Sequence, residues 1–269
     1  MPASVLKYWK FQTRALLTRL GVWQRFERWR LRWRFRRRLA HEPDFVFFRH
    51  FDGANSLFVD VGANLGQSAL SFRLANRTCP ILSFEPNPDM ERSLRAVKRF
   101  LGAGFDYRLH GLGARKEMKR LYVPTVRGVP FPQCATFRRE CLAENAGVRQ
   151  FLYEWTRTER FDIVEQLLQV VRFDDLSLHP AFVKLDVEGF ESEVLAGMGQ
   201  TLRRCRPLLM TEGNAAKDLL APNGYGMYLH QPHGNFLRPA RAGEADANFF
   251  FVPEDRVSEL ERMGALRRV

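Results

Sequence analysis

From residue 57 onward, short apolar runs alternate with stripes at helical spacing. Leu57–Val61 is apolar except for Asp60, and Leu65, Ala69 and Phe72 then mark one helix face. Ile81–Phe84 is a second short run. Asn87-Pro88 follows it as an N-cap and first-turn proline ahead of the stripe Met90, Leu94, Val97 and Leu101. Phe105–Leu109 reads as a third strand. The stretch 112–175 is less regular: 119–124 and 162–173 predict a β-ribbon, and 133–150 a loop or short helix. A strand at 181–185 then runs into a helix with Val194, Leu195, Met198 and Leu202 on its face. Another strand follows around Leu208–Glu212, and 225–230 with 248–253 predicts an antiparallel pair joined by a loop. Strands alternating with helices at this spacing predict an α/β fold, a largely parallel sheet covered by helices on both faces.

The first forty residues differ. Apolar positions from Val5 to Leu39 keep helical spacing, with Val22, Phe26, Trp29 and Trp33 in one stripe and arginines on the other faces. His41-Glu42-Pro43-Asp44 ends the pattern, because proline cannot continue a helix interior. The chain of 269 residues carries a formal net charge of +12. Residues 1–40 hold twelve Lys/Arg against one acid, Glu27, which is 12 − 1 = +11 and leaves +1 for the rest. The expected organisation is therefore a basic amphipathic helical appendage, 1–43, on one domain, 44–269.

Such a segment suits the surface of an anionic membrane, packing against the protein itself or a second copy, or nucleic acid. The nearly neutral body offers no basic track toward a cleft, which counts against RNA or other nucleic acid. No apolar run approaches the length that spans a bilayer, and Lys7, Lys10, Arg14 and Arg19 interrupt any leader-like core. Four cysteines without a C-x-x-C pair or clustered histidines suggest reduced thiols. These features predict a cytoplasmic protein that touches the inner face of the membrane peripherally.

Acids stand at successive strand ends: Asp60, Glu85, Asp186 with Glu188, and Glu212. Ligands of open α/β sheets bind beyond those ends. The run Gly62-Ala63-Asn64-Leu65-Gly66 departs from the dinucleotide fingerprint, with Asn64 where the second glycine should stand. Asp60 just before it suits a ligand without phosphate. Glu85, 23 residues after Gly62, is placed to accept hydrogen bonds from both hydroxyls of a ribose. An amino acid joined to a nucleoside is S-adenosylmethionine, and the glycines are expected to let the backbone close on it.

The stretches "FVDVGANLGQSAL", "SFEPNP", "VRFDDL", "FVKLDVEGFESEVLAGM" and "RPLLMTEG", in this order, resemble the FkbM family of S-adenosylmethionine-dependent methyltransferases. The most specific piece is "KLDVEGFE", Lys184 to Glu191, and the resemblance runs from about Asp52 to Pro253. It implies a Rossmann-like class I fold with a mostly parallel seven-stranded sheet. It also implies methyl transfer to a hydroxyl, often on a sugar or secondary metabolite. Asp60, Gly62, Asn64, Gly66, Glu85 and Asn87 correspond to cofactor positions by the same resemblance.

Methyl transfer to a hydroxyl needs a positioned base or a cation beside the developing alkoxide. Asp186 is the candidate by location. Glu188 serves either as a second acid or as a complement to the helix that follows. Among the histidines, His230 ends an expected strand, with His179 and His233 as alternatives. Asp186, Glu212 and Asn214 together offer oxygen ligands of the kind magnesium accepts, but no feature requires a metal and none is assigned.

Overall fold

In the computed structural model, residues 3–53, 56–144, 146–244 and 248–268 are described. The first two residues of the expected appendage and part of the expected loop before residue 248 lie outside them. The basic segment is a hairpin of two helices, α1 (Ala3–Arg19) and α2 (Trp23–Arg36), and not one continuous helix. Gly21 breaks it at φ +68, a left-handed conformation that favours glycine. The N–H of Val22 returns to the Leu17 carbonyl and that of Gly21 to Thr18, closing the last turn of α1.

The hairpin is built into the body. Phe11 is fully buried and stacks on Phe131 at 5.9 Å between ring centroids. Leu31 joins the main core, and Phe35 packs edge-on against Phe100 at 4.9 Å. Buried Arg14 lies over the rings of Phe131 and Trp23 and donates to the Pro130 carbonyl. The expected boundary after residue 43 thus runs through packed structure.

The main sheet has eight strands and is mixed, where seven mostly parallel strands are expected. Its parallel part begins with β1 (Phe58–Val61), β2 (Ile81–Phe84) and β3 (Phe105–Arg108), which lie together at one side of the sheet. A second sheet of four strands intervenes in the chain: β4 (Gly111–Gly113), β5 (Glu117–Val126), β6 (Val129–Pro130) and β7 (Asp162–Arg172). The main sheet resumes with β8 (Phe182–Leu185) and β9 (Leu208–Glu212), and ends with β10 (Tyr225–Gln231), β11 (Phe236–Pro239) and β12 (Asn248–Pro253). Its order is β11-β10-β12-β9-β8-β1-β2-β3, with β12, β10 and β11 antiparallel. The extra strand, β11, occupies the expected loop between β10 and β12. Its short length and the charged Arg238 suit an edge. The ribbon of β5 and β7 forms as its alternation predicts.

Two apolar clusters cover the two faces of the main sheet. Phe58, Ile81, Phe105 and Phe182 point to one face, which is covered by the 3₁₀ segment Pro43–His50, α3 (Gln67–Ala75) and α4 (Glu91–Leu101). α5 (Arg139–Glu144) and α6 (Ala146–Thr156) stand where a loop or short helix is expected, and α6 receives α1. On the other face Val59, Val61, Val183 and Leu185 meet the second sheet, α7 (Glu191–Ala196) and α8 (Gly199–Arg204). Two further helices, α9 (Lys217–Leu220) and α10 (Glu254–Arg262), complete the chain.

Candidate functional site

The turn after β1 is held by its neighbours. The N–H groups of Gly62 and Ala63 both donate to the Phe84 carbonyl, at 2.9 and 3.1 Å. Gly62 has φ +87, and a Cβ there would lie 1.7 Å from the main-chain oxygen of Asp186. The close approach of the β1 and β8 ends by itself requires glycine at 62, which also lines the cavity over these strand ends. At Gly66 a Cβ would meet the Val97 side chain at 2.9 Å. Asn64 between them also has positive φ, +48, which asparagine tolerates better than most residues.

Glu85, directly after β2, is buried and binds the same turn. One carboxylate oxygen accepts from the N–H of Asn64 at 2.7 Å and the other from the N–H of Asn87 at 2.9 Å. Asn87 in turn accepts from the N–H of Asp89 at 3.0 Å, as an N-cap should. Asp60 lies inside β1, not at its end. In register it faces Ser83 on one neighbouring strand and Lys184 on the other. Ser83 donates its hydroxyl to Asp60 at 2.9 Å, while the second carboxylate oxygen, Oδ1, is buried without a partner.

A cavity of about 1660 Å³ opens over these strand ends. Asn64, Gln67, Glu85 and Asn87 are part of its lining. Asn64 Oδ1 and Gln67 Oε1 are buried there without hydrogen-bond partners in the protein. Unpaired buried carbonyls are costly, so they mark positions where a ligand with N–H or O–H groups fits. The lining also includes Trp9, Trp23 and Phe26 of the hairpin.

Asp186, Glu188 and Glu212 also line the cavity, each with a carboxylate oxygen within 4.8 Å of the others. Asp186 forms an ion pair with Lys184 at 2.7 Å. Burial alone would lower the Lys184 ammonium, but Asp186, Asp60 and Glu42 outweigh it and the net shift is upward. Burial also pushes the carboxyls up: Asp60 to about 6, Glu85 to about 7 and Glu188 to about 9, the last reinforced by Asp186 and Glu212. Glu212 is raised to about 7 by desolvation first and Asp186 second, and being exposed at the rim it weighs least. No side chain caps α7; Glu191 at its start accepts from the N–H groups of Val187 and Gly189 in the preceding turn, both at 3.3 Å, and Glu188 lines the cavity.

His230 also lines the cavity, yet both ring nitrogens are engaged, Nδ1 with Asp44 and Nε2 with Asn235, each at 3.1 Å. Asn248 ties this group to the chain before β1 by donating to Glu42 at 3.0 Å and Asp44 at 2.9 Å. His41, Glu42 and Asp44 are thus cavity wall, although the sequence marks them only as a helix break. Lys184 is the other residue without an expected role. A charged side chain inside a four-residue apolar strand is its one signal.

The description "Methyltransferase FkbM domain" matches residues 60–221, more than half of the chain, and encloses the glycine turn, Glu85 and the three acids. The chain belongs to the FkbM methyltransferase family. Among solved structures it is similar to an FkbM methyltransferase from Methylobacillus flagellatus KT, at 17% identity and a TM-score of 0.46. The aligned part covers 75% of this chain and 44% of that one, so the chain spans less than half of its length. A precorrin-6y C5,15-methyltransferase from Geobacter metallireducens GS-15 aligns at 10% identity and a TM-score of 0.38, covering 77% of this chain and 82% of that one. No curated protein matches.

The raised carboxyls of this FkbM site make stability pH-dependent. A carboxyl whose folded pKa lies above its ordinary value binds more protons folded than unfolded, so its ionisation works against folding. The contribution of the protonated groups is full below about pH 4 and is lost as pH rises through about 6 to 9. The thermal midpoint of the ligand-free protein is therefore expected to fall over that range. Glu188→Gln should flatten the upper part of the fall. A midpoint that climbs from pH 6 to 9 would contradict these assignments.

Proposed function

We propose that the protein transfers a methyl group from S-adenosylmethionine to a hydroxyl oxygen of a sugar in a glycan, glycolipid or secondary metabolite. The observation that carries this reading is Glu85, held by the N–H groups of Asn64 and Asn87 at the end of β2 with lone pairs left for a ribose diol. The unpaired carbonyls of Asn64 and Gln67 beside it suit the remaining donors of the same ligand. Gly62 and Gly66 keep the turn in shape, and Asp60 supports it from beneath.

S-adenosylmethionine, when bound, supplies the methyl group; the acids at the β8 and β9 ends handle the proton. An aliphatic hydroxyl is too weak an acid to be an effective nucleophile unaided, so a carboxylate within reach is needed. Asp186, paired with Lys184, is the base in this reading. Glu188, protonated at neutral pH, can donate to another acceptor oxygen and so orient it. His230 positions Asp44 and the cavity wall. Membership of the FkbM family supports methyl transfer, and the size of the cavity supports an acceptor larger than a simple alcohol.

The test is to incubate the protein with S-adenosylmethionine labelled on the methyl group and a saccharide or glycolipid extract. Label is expected in alkali-stable methyl ethers of the carbohydrate fraction. Label only in alkali-labile esters or in RNA would contradict a sugar hydroxyl as acceptor.

A further inference from the structure

We propose that the outer face of the α1–α2 hairpin docks on an anionic lipid surface. Nine of the sixteen large apolar side chains exposed among the described residues lie within residues 6–39. On α1 and the turn after it these include Trp9, Leu16 and Leu20, at 58%, 58% and 63% exposure; at the N-cap of α2 and along it they are Val22, Phe26, Trp29 and Trp33. The inner faces are already used, by Phe11 and Ala15 against α6 and by Leu31 and Phe35 against α3 and α4. The hairpin therefore carries apolar residues on two opposite sides, and only one side is covered by its own fold.

Charge identifies the occupant. Of the twelve basic residues in 1–40, only Lys7 and Arg30 form ion pairs among the described residues, with Glu154 and Glu27. On a helical projection Arg25, Arg32 and Arg36 flank the Val22–Phe26–Trp29–Trp33 stripe on one side, with Arg37 on the other. Arginine beside an apolar face, with tryptophan between, matches an interface of anionic headgroups over acyl chains. RNA would use the arginines but leaves Leu16, Leu20 and Val22 unexplained. No described helix is long and apolar enough to cross a membrane, so the contact is peripheral. Leu6, Trp9, Trp23 and Phe26 of the same hairpin also line the cavity, and docking sets that part of it beside the lipid.

The measurement is co-sedimentation of the full chain with vesicles of phosphatidylglycerol and phosphatidylcholine, without cofactor or acceptor, so its result is independent of methyl transfer. Wild type should bind these vesicles, should bind phosphatidylcholine vesicles far less, and should be released by high salt. Arg25→Gln/Arg32→Gln should weaken binding about thirtyfold, at about fivefold per arginine. Trp29→Ala/Trp33→Ala should weaken it about tenfold or more. Neither pair lines the cavity, and circular dichroism should show both variants folded. Four results would overturn the proposal: no preference for phosphatidylglycerol, variants that bind as wild type does, tighter binding to poly(U) RNA than to vesicles, or a solution dimer that Trp29→Ala/Trp33→Ala converts to monomers.

Discussion

Asp186→Asn is expected to lower turnover by about 10²- to 10⁴-fold, the range for loss of a positioned base. Affinity for S-adenosylmethionine should change little, because the Glu85 carboxylate and the carbonyls of Asn64 and Gln67 are left unaltered. The amide keeps the shape of the carboxylate but cannot take a proton. It also leaves Lys184 without its nearest anion, and Lys184 is almost fully buried. Breaking such a pair costs about 3–5 kcal/mol; with Asp186 26% exposed, the low end applies. Lower turnover could then arise from a disturbed Lys184 alone. Asp186→Asn/Lys184→Met separates the two explanations. It should recover stability in urea denaturation and leave turnover low. Recovery of turnover in the double variant would make Asp186 a partner of Lys184 and not the base.

Glu85→Ala should weaken S-adenosylmethionine binding by about 10- to 150-fold, which corresponds to the 1.5–3 kcal/mol typical of hydrogen bonds to a charged group. The loss has two sources. The ribose acceptor disappears, and the N–H groups of Asn64 and Asn87 lose the carboxylate that holds the turn. Glu85→Gln is the sharper probe. Its amide presents one oxygen and one NH₂ to two backbone donors, so one N–H must go unpaired. An intermediate loss is expected. Because burial raises the Glu85 carboxyl to about 7, wild-type affinity should also improve as pH rises through that value and the acceptor ionises. Affinity that is flat across pH 6 to 8 and unchanged in both variants would remove Glu85 from the site.

What the sequence reveals here follows from range. Buried parallel strands are apolar on both faces, so Phe58–Val61, Ile81–Phe84 and Phe182–Leu185 stand out as short runs wherever their partners lie. Acids that follow such runs are legible for the same reason, and Glu85 and Asp186 do meet across one cavity. Asp60 is misplaced by one residue because a strand end cannot be read to that precision. Gly21 is a local signal of the break between α1 and α2, but the helical spacing on both sides conceals it. Lys184 and the His41–Asp44 segment are different. Lys184 is held by Asp60 as well as by nearby Asp186, and the His41–Asp44 segment by His230 and Asn248; Asp60, His230 and Asn248 are residues far away in sequence that only the folded sheet brings near. β11 escapes notice because an edge strand with one partner needs little apolar character. The second face of α2, Glu27, Leu31 and Phe35, has helical spacing too, yet the stronger tryptophan stripe on the opposite face draws the reading outward.

The most direct test of the central claim is isothermal titration calorimetry of the full chain with S-adenosylmethionine, repeated with Glu85→Ala. The expected result is binding to the wild-type protein at one site per chain, weakened about 10- to 150-fold in the variant. Absence of binding to S-adenosylmethionine, together with binding of NAD, would contradict it.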